Sequence, residues 1–92
     1  MSWSVGFVGP REAAHAALLS QFASALNSYG ADTEEGRDIV AARGRTFALL
    51  DALHLDEGQG VNVTAHGSHA TWNGALSEAS LHISVQRVDL KP

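Results

Sequence analysis

Between Ser2 and Gly9 the chain alternates, with Trp3, Val5 and Phe7 on one side and Ser2, Ser4 and Gly6 on the other, which is the period of a half-buried strand. The period then changes. In "PREAAHAALLSQFASALNSYG", Ala14, Leu18, Phe22, Ala25, Leu26 and Tyr29 recur at helical spacing. Pro10 suits a first helical position, Glu12 meets the positive end of the helix dipole, and Gly30 is placed to close the element in a left-handed cap. A second helix begins at Asp32 or Thr33, where Asp32 and Glu35 make a loose capping box, and runs to about Leu53. Its apolar face is Ile39, Val40, Phe47, Leu50 and Leu53. Gly44 inside it costs about 1 kcal/mol relative to alanine, which predicts a kink or a close helix contact there.

Past the turn "DEGQG", the stretches "VNVTAHGSHATW" and roughly "SLHISVQRV" read as two further strands. The order β-α-α-β-β, with two antiparallel helices returning the chain to the end where the first strand finished, predicts an α+β two-layer sandwich. In it a three-stranded, mainly antiparallel sheet packs on a helical hairpin. One side of that sheet collects Trp3, Val5, Phe7, Val61, Val63, Ala65, Leu81, Ile83 and Val85 and belongs under the helices. The other collects Ser4, Asn62, Thr64, His66, His82, Ser84 and Gln86. That second side is polar, yet no carboxylate, lysine or arginine stands at its centre. A solvated face chosen for strand propensity would look like this, and so would a face that meets another sheet or holds a ligand, with Thr64 and Ser84 as interface residues.

The last two strands contain a conflict. Asn73-Gly74 invites a two-residue turn, which pairs residues whose numbers sum to 147 and sets apolar Val63 opposite polar Ser84. The apolar sets are odd-numbered, so paired numbers must have an even sum. A bulge near Gly67 or Gly74, or a longer loop through "NGALSEAS", is therefore expected. With a sum of 148, His66 and His82 fall directly opposite each other.

With 92 residues the chain forms one domain, residues 1–92, and with no cysteine it has no disulfides to supplement a modest core, so a homo-oligomer is expected. Hydrophobic content is 45% and charged content 17%, a folding composition with an unusually uncharged surface. A net charge of −4 removes the basic field of a general nucleic-acid binder. No apolar run approaches the length of a membrane span and the N-terminal residues do not read as a leader, so a cytoplasmic protein is expected. Asn62-Val63-Thr64 fits the glycosylation sequon by chance on that reading.

In a strand, His66 and His69 point to opposite faces, so H-x-x-H is not a ligand pair unless a bulge intervenes. His66 and His82 could begin a zinc site, but a closed site needs four ligands and a catalytic one typically three plus water, and no carboxylate on that face supplies the third. No metal and no cofactor is expected, and His15 and His54 read as helix-surface residues. Trp72, beside the turn, reads as a packing residue or a contact residue. A second candidate is "GFVGPREA", where Gly6, Gly9 and Arg11 frame a strand-to-helix turn of the kind that admits an anion, with Arg37, Arg43 and Arg45 adding positive potential. The spacing matches no phosphate-binding fingerprint, and a tight βα turn explains it equally. There is no nucleophile elbow and no thiol, and the acids sit at helix starts and turns, so no catalytic residue is assigned.

The opening "MSWSVGFVG", the alanine-rich helix after it and the closing strand "SLHISVQRV" resemble small accessory proteins of phages and prophages. The similarity covers the first thirty or so residues and the last strand, and it carries over no functional residue. It implies a non-catalytic role, often counter-defence, in which a nucleotide signal is captured or a host protein blocked. The combined expectation is a homo-oligomeric binding protein whose partner is a small phosphate-bearing ligand or a host defence protein. In the ligand version, the Gly6–Arg11 turn or the His66/His82 face lines a pocket between subunits. Two alternatives are a virion structural or assembly protein, and a small metal-dependent enzyme.

Overall fold

The computed structural model describes the backbone of residues 2–72 and 75–90 and the side chains of 2–68 and 80–90. Its elements are β1 (Ser2–Gly9), α1 (Arg11–Tyr29), α2 (Glu34–Ala52), β2 (Gln59–Trp72) and β3 (Ala75–Asp89). The sheet is three-stranded and antiparallel in the order β1-β2-β3, with both helices on one side, so the α+β two-layer sandwich is the observed architecture. The alternation in β1 does what its period requires: Trp3 and Val5 are buried while Ser2, Ser4 and Gly6 are exposed. Val61, Val63 and Ala65 of the central strand are completely buried beneath Ala14, Leu18, Phe22, Ile39, Ala42 and Leu50 of the helices. Burying a side chain the size of Phe22 contributes about 1.5 to 3 kcal/mol. Trp3 and Phe47 flank its ring at centroid distances of 6.1 and 6.2 Å.

Helix termini differ from the expected ones in instructive ways. Pro10 occupies the position before the first helical residue, with φ −64° and ψ 143°, and provides no side-chain cap. Gly30 ends α1 with φ 88° but an extended ψ of 137°, so the chain leaves with a positive φ rather than a left-handed helical turn. Its N–H still donates to the Leu26 carbonyl, at 2.8 Å. The cap of α2 is Thr33, whose Oγ1 accepts from the Gly36 N–H at 2.9 Å, which replaces the Asp32–Glu35 capping box. Glycine at 36 is explained by space, because a Cβ there would run into the Gly30 carbonyl. Gly44 makes neither a kink nor a close helix contact: α2 is continuous from Glu34 to Ala52, and a methyl at 44 would meet nothing within 4 Å.

The register conflict is resolved by using both sums. At the tip Trp72 pairs with Ala75 and Thr71 with Leu76, each summing to 147, and from Ala70↔Glu78 onward every pair sums to 148. The extra residue is Ser77, opposite the Ala70/Thr71 step and within "NGALSEAS", while the pairing at Gly67 is regular. Gly67 has another duty, since it lies directly under the indole of Trp3. Beyond Ser2, where β1 ends, β2 and β3 continue pairing from His69↔Ala79 to Trp72↔Ala75, which gives the molecule its long dimension of 52 Å against 21 and 20 Å. Among the described residues no helix is long and apolar enough to cross a membrane.

Candidate functional site

The side of the sheet away from the helices is bare. Its rows run Ser4–His66–His82, Gly6–Thr64–Ser84 and Val8–Asn62–Gln86 across the three strands. Ser84 is partly exposed and the other residues of these rows are exposed. None is charged, although the chain has sixteen acidic and basic residues, six Lys and Arg with ten Asp and Glu. His66 and His82 are direct cross-strand partners, their rings stacked with centroids 4.9 Å apart and planes 27° from parallel. Thr64 and Ser84 form the adjacent row, so both expected interface residues stand beside the histidine pair on one continuous surface. The side chains of His69 and Trp72 lie outside those described.

Of the Gly6–Arg11 turn, Gly6 stands in the row beside that pair, whereas Arg11 opens α1 in the helical layer, on the other side of the sheet. Each member of the turn is also engaged within the chain. The Gly6 N–H donates to Gln21 Oε1 and the Gly6 carbonyl accepts from Gln21 Nε2, both at 2.8 Å. Gly9 packs beneath the Phe7 ring, and Arg11 Nη1 donates to the Leu50 carbonyl at the end of α2, at 3.3 Å. Of the arginines expected to add potential here, Arg37 donates to the Asp32 carbonyl at 2.9 Å, and Arg43 lines a separate cavity of about 320 Å³ with Leu26, Asn27 and Gly30.

His15 does more than sit on a helix surface. Its Nε2 lies 2.8 Å from Asp51 Oδ1, and its ring stacks on Phe47 with centroids 4.9 Å apart and planes only 5° from parallel, so it ties α1 to α2. His54 pairs locally with Asp56 at 3.3 Å. Among the described residues no three or more His, Cys, Asp or Glu side chains converge as metal ligands.

Sequence reasoning missed Gln21 and the groove beside it. Gln21, Ser24, Ser28 and Tyr29 of α1 face Ser2 and Ser4 of β1 across a cavity of about 520 Å³. The lining includes no Lys, Arg, Asp or Glu. The signal was a polar stripe at helical spacing, 21, 24 and 28, beside the apolar one. Through this groove α1 also covers the outer edge of β1 at two points: Gln21 imitates a neighbouring strand's peptide at Gly6, and the Tyr29 hydroxyl donates to the Ser2 carbonyl.

Because the Gly6 peptide groups point away from β2, antiparallel alternation directs those of Val5 and Phe7 toward it. The same alternation carried across β2 leaves the N–H and C=O groups of Leu81, Ile83 and Val85 on β3 directed outward from the sheet. Among the described residues, one edge of the sheet is covered at Ser2 and Gly6 and the other is open at Leu81, Ile83 and Val85.

No family model, no curated protein and no solved structure matches the chain. Its class is defined by its own architecture: an α+β two-layer sandwich with an uncovered, uncharged sheet face. Its individual character lies in a stacked cross-strand histidine pair at that face and a side-chain amide that covers one sheet edge.

Proposed function

We propose that this is a non-catalytic binding protein that acts as a homo-oligomer, its copies meeting through the bare face of the sheet. The observation that carries the reading is the absence of charge across the Ser4–His66–His82, Gly6–Thr64–Ser84 and Val8–Asn62–Gln86 rows, since depletion of charged residues is the compositional mark of interface centres. The face that accepts a second copy is also the face that masks a partner protein, so self-association and masking compete. A protein partner is favoured over a phosphate-bearing ligand, because the Gly6 amide and the Arg11 guanidinium are already engaged by Gln21 and Leu50. In the setting that the resemblance to phage proteins implies, the partner is a host defence protein and the site of action the host cytoplasm.

The test is native mass spectrometry and sedimentation velocity on the protein as purified, without chelator, beside Thr64→Lys. The wild type should be a defined oligomer, and a lysine in the centre of the face should convert it to monomer. The stability of this exposed position should change by no more than about 0.5 kcal/mol in denaturant titration. A wild type that stays monomeric at high concentration would sink the reading. A second reading, an assembly protein, is favoured by the open edge of β3; it predicts that Ile83→Pro, which removes one outward N–H, abolishes association while Thr64→Lys does not.

A further inference from the structure

We infer that His66 and His82 form half of a metal site for zinc or a chemically similar divalent ion, and that the same pair from a second copy completes it. The inference rests on the proposed meeting of copies through the sheet face and adds what joins them. Two imidazoles directly opposite on neighbouring strands, with ring centroids 4.9 Å apart, are close enough for one nitrogen of each to reach a common ion. Tetrahedral zinc with nitrogen ligands at about 2.0 to 2.1 Å holds those nitrogens roughly 3.3 Å apart. Both rings are exposed, and their contact with each other is the one interaction either side chain makes among the described residues. Neither nitrogen has to be released from a carboxylate or carbonyl before a metal can take it.

Among the described residues a single chain supplies two ligands here and no more, because the neighbouring described rows hold only Ser, Thr, Asn, Gln, Gly and Val. Two-fold symmetry supplies the rest. An isologous contact places the same surface patch of both copies on the axis, and if the axis passes the histidine row, four imidazoles converge. Packed sheets lie about 10 Å apart, so side chains standing upright from each meet at the midplane. Nothing in the rows from Ser2 to Val8 opposes this approach, since among these described residues none is acidic or basic and no like charges are brought together.

Size points the same way. From the Ser2 row to the Val8 row the face is seven residues long and three strands wide, a footprint of roughly 300 Å². A standard stable interface buries about 800 Å² per partner. Contact through this face alone is therefore weak, and an ion shared by four histidines supplies the cross-link that area does not.

The experiment begins with protein stripped by chelator. Sedimentation velocity is run in EDTA and then with added zinc sulfate, with stoichiometry from calorimetry and cobalt(II) as a spectroscopic probe of geometry. The expected result is a weakly associating chain that becomes a dimer at one zinc per two chains, with the strong visible absorption of tetrahedral cobalt. His66→Ala and His82→Ala each remove two of the four ligands from the assembled site and should weaken zinc binding by on the order of a hundredfold or more. Both positions are exposed, so circular dichroism and thermal melts should remain those of the wild type. Zinc bound at one per chain without dimerisation would overturn the shared site. A dimer that persists in EDTA and takes up no zinc would overturn the metal while leaving the oligomeric reading standing. A monomer under every condition, with no zinc bound, would overturn both.

Discussion

At Gly67 the space for a side chain is already filled. An added methyl would stand 2.7 Å from the indole nitrogen of Trp3, and Trp3 is only 6% exposed, pinned against Phe22. Gly67→Ala should therefore cost about 1 to 3 kcal/mol, read as a lower midpoint in denaturant titration, because the indole has to move within a packed core. Gly44 is the opposite case. Nothing lies within 4 Å of a methyl there, so Gly44→Ala should raise stability by about 1 kcal/mol through helix propensity alone, measured by the same titration. Sequence treats the two residues alike, as a glycine inside a regular element. Only the distance to a residue far along the chain separates them.

Among the elements, the strands were legible because burial enforces the period of two: the odd-numbered apolar set of β1 and β2 is the set under the helices. Parity required an even sum, and 148, the one the strands adopt, is the one that sets His66 opposite His82. The bulge was required by that parity but not located by it. One extra residue anywhere between the turn and the first core pair restores an even sum, and Ser77 is where the chain places it. Sequence offers both Asp32 and Thr33 as the start of α2, since both are good caps, and the choice falls to whichever oxygen reaches Gly36, which is Thr33 Oγ1. Gln21 was invisible because its partner is the backbone of Gly6, fifteen residues away, and a backbone amide has no signature in sequence. Removing that side chain tests the element it serves. Gln21→Ala should lose about 1 kcal/mol of stability in thermal or denaturant unfolding, the usual net value of a hydrogen-bonded side chain at a partly exposed site. It should also make the Gly6 amide exchange faster with solvent deuterium.

For the whole molecule, the covered edge at β1 and the open one at β3 set how far association can go. A monomer's capacity to build long assemblies is counted by its functionality, the number of independent joints it can make. Joined at both edges, a sheet would be bifunctional and could add copies without limit, as fibrils do. With Gln21 and Tyr29 occupying the β1 edge at Gly6 and Ser2, each chain is monofunctional along the hydrogen-bonding direction: copies joined at β3 stop at the pair, and longer growth needs the sheet face as a second joint. Gln21 is in this sense a chain stopper built into the monomer. Its removal should turn a distribution that plateaus with concentration into one that climbs, a difference that sedimentation across a concentration series reads directly.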